Sequence, residues 1–248
     1  MTEKVWFITG TSRGFGRIWA QAALARGDRV AATARDVKTL APLVERYPDR
    51  IEPIALDVTD RPAVFRAIEE LSEADARAQI ETNLFGALWV TQAALPIMRA
   101  QRSGHILQVS SIGGVSAFPT VGMYHASKWG LEGFSQSLAI EVAGFGIKVT
   151  LVEPGGYATE WSGVSATRSP EMPEYAGART AIAAMRGRLK PGDPQATAAA
   201  ILKVVDAAEP PLRIFFGTTG LPMARAEFAN RLEIWDKWND VSVAAQGN

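Results

Sequence analysis

Cysteine is missing from this chain. That excludes disulfides, thiol nucleophiles and cysteine-ligated metals. Histidine is nearly missing too: His105 and His125 are the only two, too few for a histidine-rich metal centre. There is no excess of charge of either sign, since Lys+Arg and Asp+Glu both number 26. The chain therefore lacks the electrostatic footprint of a nucleic-acid or anionic-membrane binder. No apolar run reaches the ~18–20 residues that span a bilayer. The first apolar run already begins at Val5, which leaves no room for a signal peptide ahead of it. These absences lead us to expect a cytoplasmic protein with no membrane or nucleic-acid partner. Hydrophobic residues at 47% and charged residues at 21% suit a substantial core. No repeat or low-complexity linker divides the chain, so residues 1–248 read as a single domain.

What is present is an alternation. Apolar runs at 5–9, 29–33, 51–56, 105–109, 147–152 and 212–216 read as strands. Between them lie stretches with apolar residues at helical spacing, at 15–26, 37–47 and 64–71. A longer one opens at a capping box over 72–75 and carries Ile80, Leu84, Leu88, Thr91 and Leu95. Others cover 124–142, 174–188 and 194–207, and a Gly/Pro/Ser-rich loop covers roughly 154–174. Such alternation predicts one α/β domain built on a parallel sheet. Ligands on these sheets bind beyond the carboxyl ends of the strands. The turn after the first strand, Asp57, Ser110-Ser111 and Pro154-Gly155 all fall at such ends.

That first turn reads Thr9-Gly10-Thr11-Ser12-Arg13-Gly14-Phe15-Gly16. Glycines let a backbone approach a ligand closely. The N–H groups and positive dipole end of the helix that follows attract a pyrophosphate. The Gly-x3-Gly-x-Gly spacing, taken alone, also fits an ordinary strand-to-helix turn. Further on, Tyr124 and Lys128 are four residues apart on one predicted helix and share a face. A phenol titrates near ~10, and a neighbouring ammonium favours its ionised form. The pair suits acid–base work on an alcohol or carbonyl, although Tyr-x3-Lys by itself is more often a surface pair. Ser111 ends a strand, where its hydroxyl is available to a carbonyl oxygen or simply to the turn. Asn83 lies inside an apparent helix, an unfavourable place for Asn unless it faces solvent.

The order of these features closely resembles the short-chain dehydrogenases/reductases over residues 4 to about 160. It runs from the glycine turn to Leu56-Asp57-Val58-Thr59, Asn83, Val109-Ser110-Ser111 and Tyr124-His125-Ala126-Ser127-Lys128, then to Pro154-Gly155-Gly156-Tyr157-Ala158-Thr159. The resemblance implies a Rossmann-type doubly wound parallel sheet with helices on both faces and strand order 3-2-1-4-5-6-7. It also implies a nicotinamide cofactor and hydride transfer between that cofactor and a carbonyl or secondary alcohol. Tyr124 would be the acid/base. Lys128 would lower its pKa and hold the nicotinamide ribose. Ser111 would orient the substrate oxygen, and Asn83 would maintain a water-linked proton path to Lys128. Gly10, Ser12, Arg13, Gly14, Phe15 and Gly16 would surround the adenosine phosphates, with Asp57 and Val58 against the adenine. Pro154, Gly155 and Thr159 would bracket the nicotinamide end.

The second strand ends Thr33-Ala34-Arg35-Asp36. A carboxylate there binds a ribose 2′-hydroxyl, whereas arginine favours a 2′-phosphate. The carboxylate position falls nearest Ala34, while Arg35 follows it and Arg13 lies within reach in the turn. This predicts NADP(H) over NAD(H), with Asp36 serving as a helix cap. Residues 113–118, Met123, Tyr157 and Trp161 predict an apolar pocket for a ketone or secondary alcohol, under a lid over about 155–190. Phe228, Leu232, Trp235 and Trp238 form a stripe at helical spacing, expected to pack on this or a neighbouring subunit. The resemblance implies a homodimer or homotetramer.

The resemblance fails at one place. The family's fourth strand, with its Asn-Asn-Ala-Gly ending, has no counterpart between Asp57 and Asn83. A βαβ unit normally takes ~30 residues or more, and no apolar β-branched run lies in that interval. Three arrangements remain: a segment is left out of the chain, the next strand slides across to pair with the first, or the chain is a relative impaired in cofactor binding. The last would make it a non-catalytic dinucleotide-binding or regulatory protein on the same fold.

Overall fold

The computed structural model describes residues 3–56, 73–158, 172–187 and 189–247. The expected helix at 64–71 and residues Asp57, Val58, Thr59, Ser72, Thr159 and Trp161 lie outside the described residues.

The first half is a βαβαβ unit. Strand β1 (Val5–Ile8) leads through the glycine turn into helix α1 (Gly14–Arg26). Gly27, at φ 104, ends α1 by turning its N–H back onto the carbonyls of Ala23 and Leu24, a conformation that favours glycine. Strand β2 (Arg29–Ala34), helix α2 (Ala41–Arg46) and strand β3 (Ile51–Ala55) follow. The strands are parallel in the order β1-β2-β3, with Val5 opposite Arg29 and Val30 opposite Ile51. One face buries Trp6, Ile8, Val30 and Ala32 against Ala20, Ala23 and Leu24 of α1 and Leu40 before α2. Leu24 and Leu40 are fully buried, which stabilises the unit by about 1.5–3 kcal/mol each.

The second half begins with α3 (Glu73–Ile80), passes through a π-helical turn at Glu81–Phe85, and continues as α4 (Gly86–Gln101). Strand β4 (Gly104–Val109), helix α5 (Gly122–Val142) and strand β5 (Ile147–Pro154) follow. Then come α6 (Ala176–Gly187), α7 (Thr197–Asp206), β6 (Arg213–Phe216), α8 (Gly220–Lys237) and α9 (Asn239–Ala244). These strands are also parallel, in the order β4-β5-β6. Apart from Lys148, every residue of β5 is buried, the pattern of a central strand covered on both faces.

The expected single sheet is therefore two three-stranded sheets among the described residues. β1 and β4 are the two inner edges, and they do not pair with each other. The sliding of one strand onto the other does not occur among the described residues. Residues 57–72, between β3 and α3, lie outside the described residues. On β1 the inward-facing Trp6 and Ile8 are buried, while Val5 and Phe7 on its other face are 77% and 54% exposed.

Helices α1 and α7 hold the halves together. Trp19 Nε1 donates to Thr197 Oγ1 at 2.9 Å. Asp206 takes ion pairs from Lys4 at 2.8 Å and Arg26 at 2.7 Å. Leu107 of β4 packs against both the β1–β2 core and the cluster around Ile18, Trp19, Val152 and Ile201. The tail stripe forms on α8 as its spacing predicts. Phe228, Leu232, Trp235 and Trp238 are nevertheless 50–60% exposed, so the expected packing within this chain is absent. Among the described residues no helix is long and apolar enough to cross a membrane.

Candidate active site

The glycine turn is shaped by two left-handed residues, Gly10 at φ 67 and Gly14 at φ 59. Thr11 pins it to the end of β2: its N–H and its hydroxyl both donate to the Thr33 carbonyl, at 2.9 and 2.8 Å. Gly16 is a matter of space. A Cβ there would lie 2.5 Å from the Gly10 carbonyl oxygen and 3.0 Å from that of Thr9. The first turn of α1 contains no acidic residue, so nothing opposes an anion at its N-terminus. A close-approach glycine cradle, the N-terminus of a helix and no acidic residue in its first turn fit a dinucleotide pyrophosphate. Arg13 is extended, at φ −158, and exposed. Arg35, directly after β2, is also exposed. The Thr11–Thr33 contact sets both arginines at one turn–strand junction. Asp36 caps the short 3-10 turn before α2, accepting from the Lys38 N–H at 3.0 Å, as expected.

Phe15 faces across the site. It stacks on Trp19 at 5.6 Å and meets Tyr157 edge-on at 5.3 Å. The glycine turn thereby touches the segment that follows β5. Pro154 ends β5, and the N–H of Gly155, directly after it, donates to the Phe216 carbonyl at 2.9 Å.

Asn83, Ser111, Tyr124 and Lys128 converge from three elements. Ser111 follows β4 and caps a 3-10 turn at Ile112–Gly114, its hydroxyl accepting from the Gly113 N–H at 3.0 Å. Tyr124 sits in the first turn of α5 and Lys128 one turn on, its ammonium 5.9 Å from the tyrosine ring centroid. The Lys128 ammonium donates to the Val109 carbonyl at 2.8 Å. Asn83 lies in the π-helical turn, where its amide donates to Ser127 Oγ at 3.0 Å. Ser127 in turn donates to the Tyr124 carbonyl at 2.7 Å. Asn83 thus braces the turn of α5 that carries both Tyr124 and Lys128. Such π turns are frequent at functional sites.

The electrostatics depart from expectation at the phenol. Burial pushes Tyr124 up to about 12, against a hydrogen bond with Ser111 that pulls it down. The Lys128 ammonium, one turn away, is held by the Val109 carbonyl. Burial also brings Lys128 down to about 8, while the charge of Glu132 pushes it up.

Sequence reasoning missed three features. His125 clasps the loop after Ser111: Nδ1 lies 2.7 Å from the Gly113 carbonyl, and Nε2 accepts from the Phe118 N–H at 2.7 Å. Nε2 also lies 3.2 Å from the Phe118 carbonyl. Only its place beside Tyr124 hinted at this. The π-helical turn has no sequence signal beyond an Asn inside a helix. The third feature is a pair of buried carboxyl groups, Glu132 and Glu153, met by the exposed Arg213, residues that lie far apart in the chain. Among the described residues no group of His, Cys, Asp or Glu is placed to hold a metal ion.

A sequence profile described as short chain dehydrogenase matches residues 4–74 and 63–170. The oxidoreductase BOA17 of Botryotinia fuckeliana is 40% identical over 98% of this chain and 99% of its own. That alignment runs over 273 positions, more than the 248 residues of this chain, so the relative carries residues with no counterpart here. A short-chain dehydrogenase from Streptomyces avermitilis superposes with a TM-score of 0.91 at 36% identity, covering 98% of both chains. A short chain dehydrogenase from Burkholderia cenocepacia in complex with NADP has a TM-score of 0.75 at 21% identity, covering 95% of this chain and 97% of its own. That last likeness is one of fold.

Proposed function

The chain belongs to the short-chain dehydrogenase family, and from that premise we propose that it is an oxidoreductase reducing a carbonyl to a secondary alcohol with NADP(H). The observation that carries this reading is the convergence of Ser111, Tyr124, Lys128 and Asn83 at the carboxyl end of β4, on the same side as the glycine cradle. The cofactor supplies the hydride when bound. Gly10, Ser12, Gly14, Phe15 and Gly16 would hold its pyrophosphate, and Pro154 and Gly155 its nicotinamide end. Arg13 and Arg35 would take a 2′-phosphate, the basis for NADP(H) over NAD(H). Asp57, Val58 and Thr159 complete the proposed contacts.

The chain's own groups do the proton chemistry. At neutral pH a phenol raised to about 12 is protonated. That is the state needed to give a proton to a developing alkoxide, which favours the reductive direction. The Ser111 hydroxyl orients the same oxygen. The Lys128 ammonium supplies positive charge beside the cofactor ribose and feeds the proton path, and Asn83 keeps α5 in position. The loop that His125 clasps, with Met123 and Tyr157, lines an apolar substrate side. We further propose one domain over 1–248, a cytoplasmic homodimer or homotetramer, and a lid over about 155–190.

A second reading is favoured by the split sheet. With β1 and β4 unpaired, the wall between the two halves of a dinucleotide site is missing among the described residues. Such a chain would bind cofactor weakly and turn over nothing. NADPH oxidation against a panel of apolar ketones and aldehydes, alongside NADPH binding, separates the two. Turnover supports the reductase, and binding without turnover supports the impaired relative.

A further inference from the structure

Tyr124, Lys128 and Glu132 follow one another at four-residue steps on one face of α5. Glu132 is 6% exposed, and Glu153, near the end of β5, is 1% exposed. One cation serves them both. Arg213 of β6 donates its Nε to Glu132 Oε2 at 2.9 Å and stands 3.7 Å from Glu153 Oε1. Its Nη2 is spent on Gln136 at 2.8 Å. The two carboxyl groups are within hydrogen-bonding reach of each other. Even so, Oε1 of Glu132 and Oε1 of Glu153 are both buried without a hydrogen-bond donor, as is the Ser110 hydroxyl. Gly114 closes the chamber: a Cβ there would lie 2.7 Å from Ser110 Oγ and 3.2 Å from Glu132 Oε1.

Two buried carboxylates side by side cannot both ionise cheaply, and a proton on the pair supplies a donor where both have an orphaned acceptor. We propose that Glu132 and Glu153 share one proton, clamped by Arg213, and that the single negative charge left on the pair is the counter-charge that keeps Lys128 protonated one turn from Tyr124. They are positioning residues, and this part of the inference rests on the reductase reading above. The charged and polar groups facing the pair are Lys128 and Gln136 on α5, Arg213 on β6 and Ser110 after β4. Burial first, then the Glu132 charge, pushes Glu153 above the ordinary carboxyl range, while Arg213 pulls it down. Arg213 stands nearer Glu132, at 2.9 Å, than Glu153, at 3.7 Å, so the negative charge sits on Glu132 and the proton on Glu153.

The sign follows. A carboxyl raised in the folded state favours folding fully below its ordinary value and loses that contribution as pH rises through the raised one. Glu153→Gln copies the protonated form.

The test is infrared spectroscopy of the whole protein at neutral pH, where ordinary carboxyl groups are ionised. A protonated-carboxyl band is expected in the wild type, in Tyr124→Phe as well, and not in Glu153→Gln. Absence of the band from the wild type overturns the proposal and needs no variant. Thermal melts follow the same proton: Tm of the wild type falls from mildly acidic to mildly alkaline pH, and this slope flattens in Glu153→Gln. An unchanged slope overturns it. For the link to Lys128, its side-chain NMR titration is expected to keep its midpoint in Glu153→Gln and to move to lower pH in Glu132→Gln. A midpoint unmoved in Glu132→Gln refutes the counter-charge role. None of these readouts requires turnover. If Tyr124→Phe leaves turnover intact while the band persists, the reductase reading falls and the shared proton stands.

Discussion

Replacing Gly16 by alanine is the sharpest perturbation of the cofactor cradle. The added Cβ would sit 2.5 Å from the Gly10 carbonyl oxygen, 3.0 Å from the Gly10 carbonyl carbon and 3.0 Å from the Thr9 oxygen. All three are backbone atoms at the hinge of the turn, so no side chain can swing aside. The turn must open, and overpacking of this kind costs about 1–3 kcal/mol. Opening it also moves the N–H groups that would face the pyrophosphate. Losing one hydrogen bond to a charged group costs about 1.5–3 kcal/mol, which is roughly a tenfold to hundredfold loss in affinity. Two controls separate space from backbone strain. Gly14→Ala meets nothing within 4 Å but holds φ 59, so it should cost about 1–2 kcal/mol of strain without a clash. Gly133→Ala, in open space within α5, should stabilise by about 0.5–1 kcal/mol. The assays are Tm and NADPH titration followed by tryptophan fluorescence. A Gly16→Ala protein that binds NADPH and melts like the wild type would refute the cradle.

Three further predictions follow from named groups. Lys128, brought down to about 8 by burial, loses its proton as pH rises through that value, while Tyr124 at about 12 keeps its own; kcat/KM for reduction should fall above about pH 8 in a pH–rate profile. Arg35→Ala should weaken NADPH about tenfold and leave NADH unchanged in paired titrations. Asp28 is buried, and although burial raises it, hydrogen bonds from Arg26, Trp6 and the Lys4 N–H hold it below 3.8. Its contribution is present above that ordinary value and lost as pH falls below it. Asp28→Ala should therefore cost about 2 kcal/mol near neutrality and lessen the acid-side loss of stability seen by denaturant titration.

Much of the fold was legible because periodicity is local. The runs at 29–33 and 147–152 became β2 and β5, and the helical spacing at 15–26 became α1 with one residue added. The interval between Asp57 and Asn83 was legible too, as one shorter than a βαβ unit normally takes. What the sequence could not state was the arrangement among the described residues: two three-stranded sheets, joined through α1 and α7, with Phe7 left outside. At the site, the spacing of Tyr124 and Lys128 gave their shared face. It did not give the direction of the phenol's shift, which burial decides. Nor could it bring Arg213 to Glu132, since that contact depends on β6 lying beside β5. The exposed Trp235 and Trp238 show the same limit: spacing assigns a helix face, but not what covers it.

The central claim is that Tyr124 gives the proton in an NADPH-dependent carbonyl reduction. The direct measurement is NADPH oxidation by the whole chain with an apolar ketone, comparing the wild type with Tyr124→Phe at equal cofactor occupancy. Removing a general acid lowers such rates by roughly 10²–10⁴-fold. The prediction is measurable turnover in the wild type and a loss of that size in Tyr124→Phe, with NADPH affinity retained; equal rates in the two proteins would contradict it.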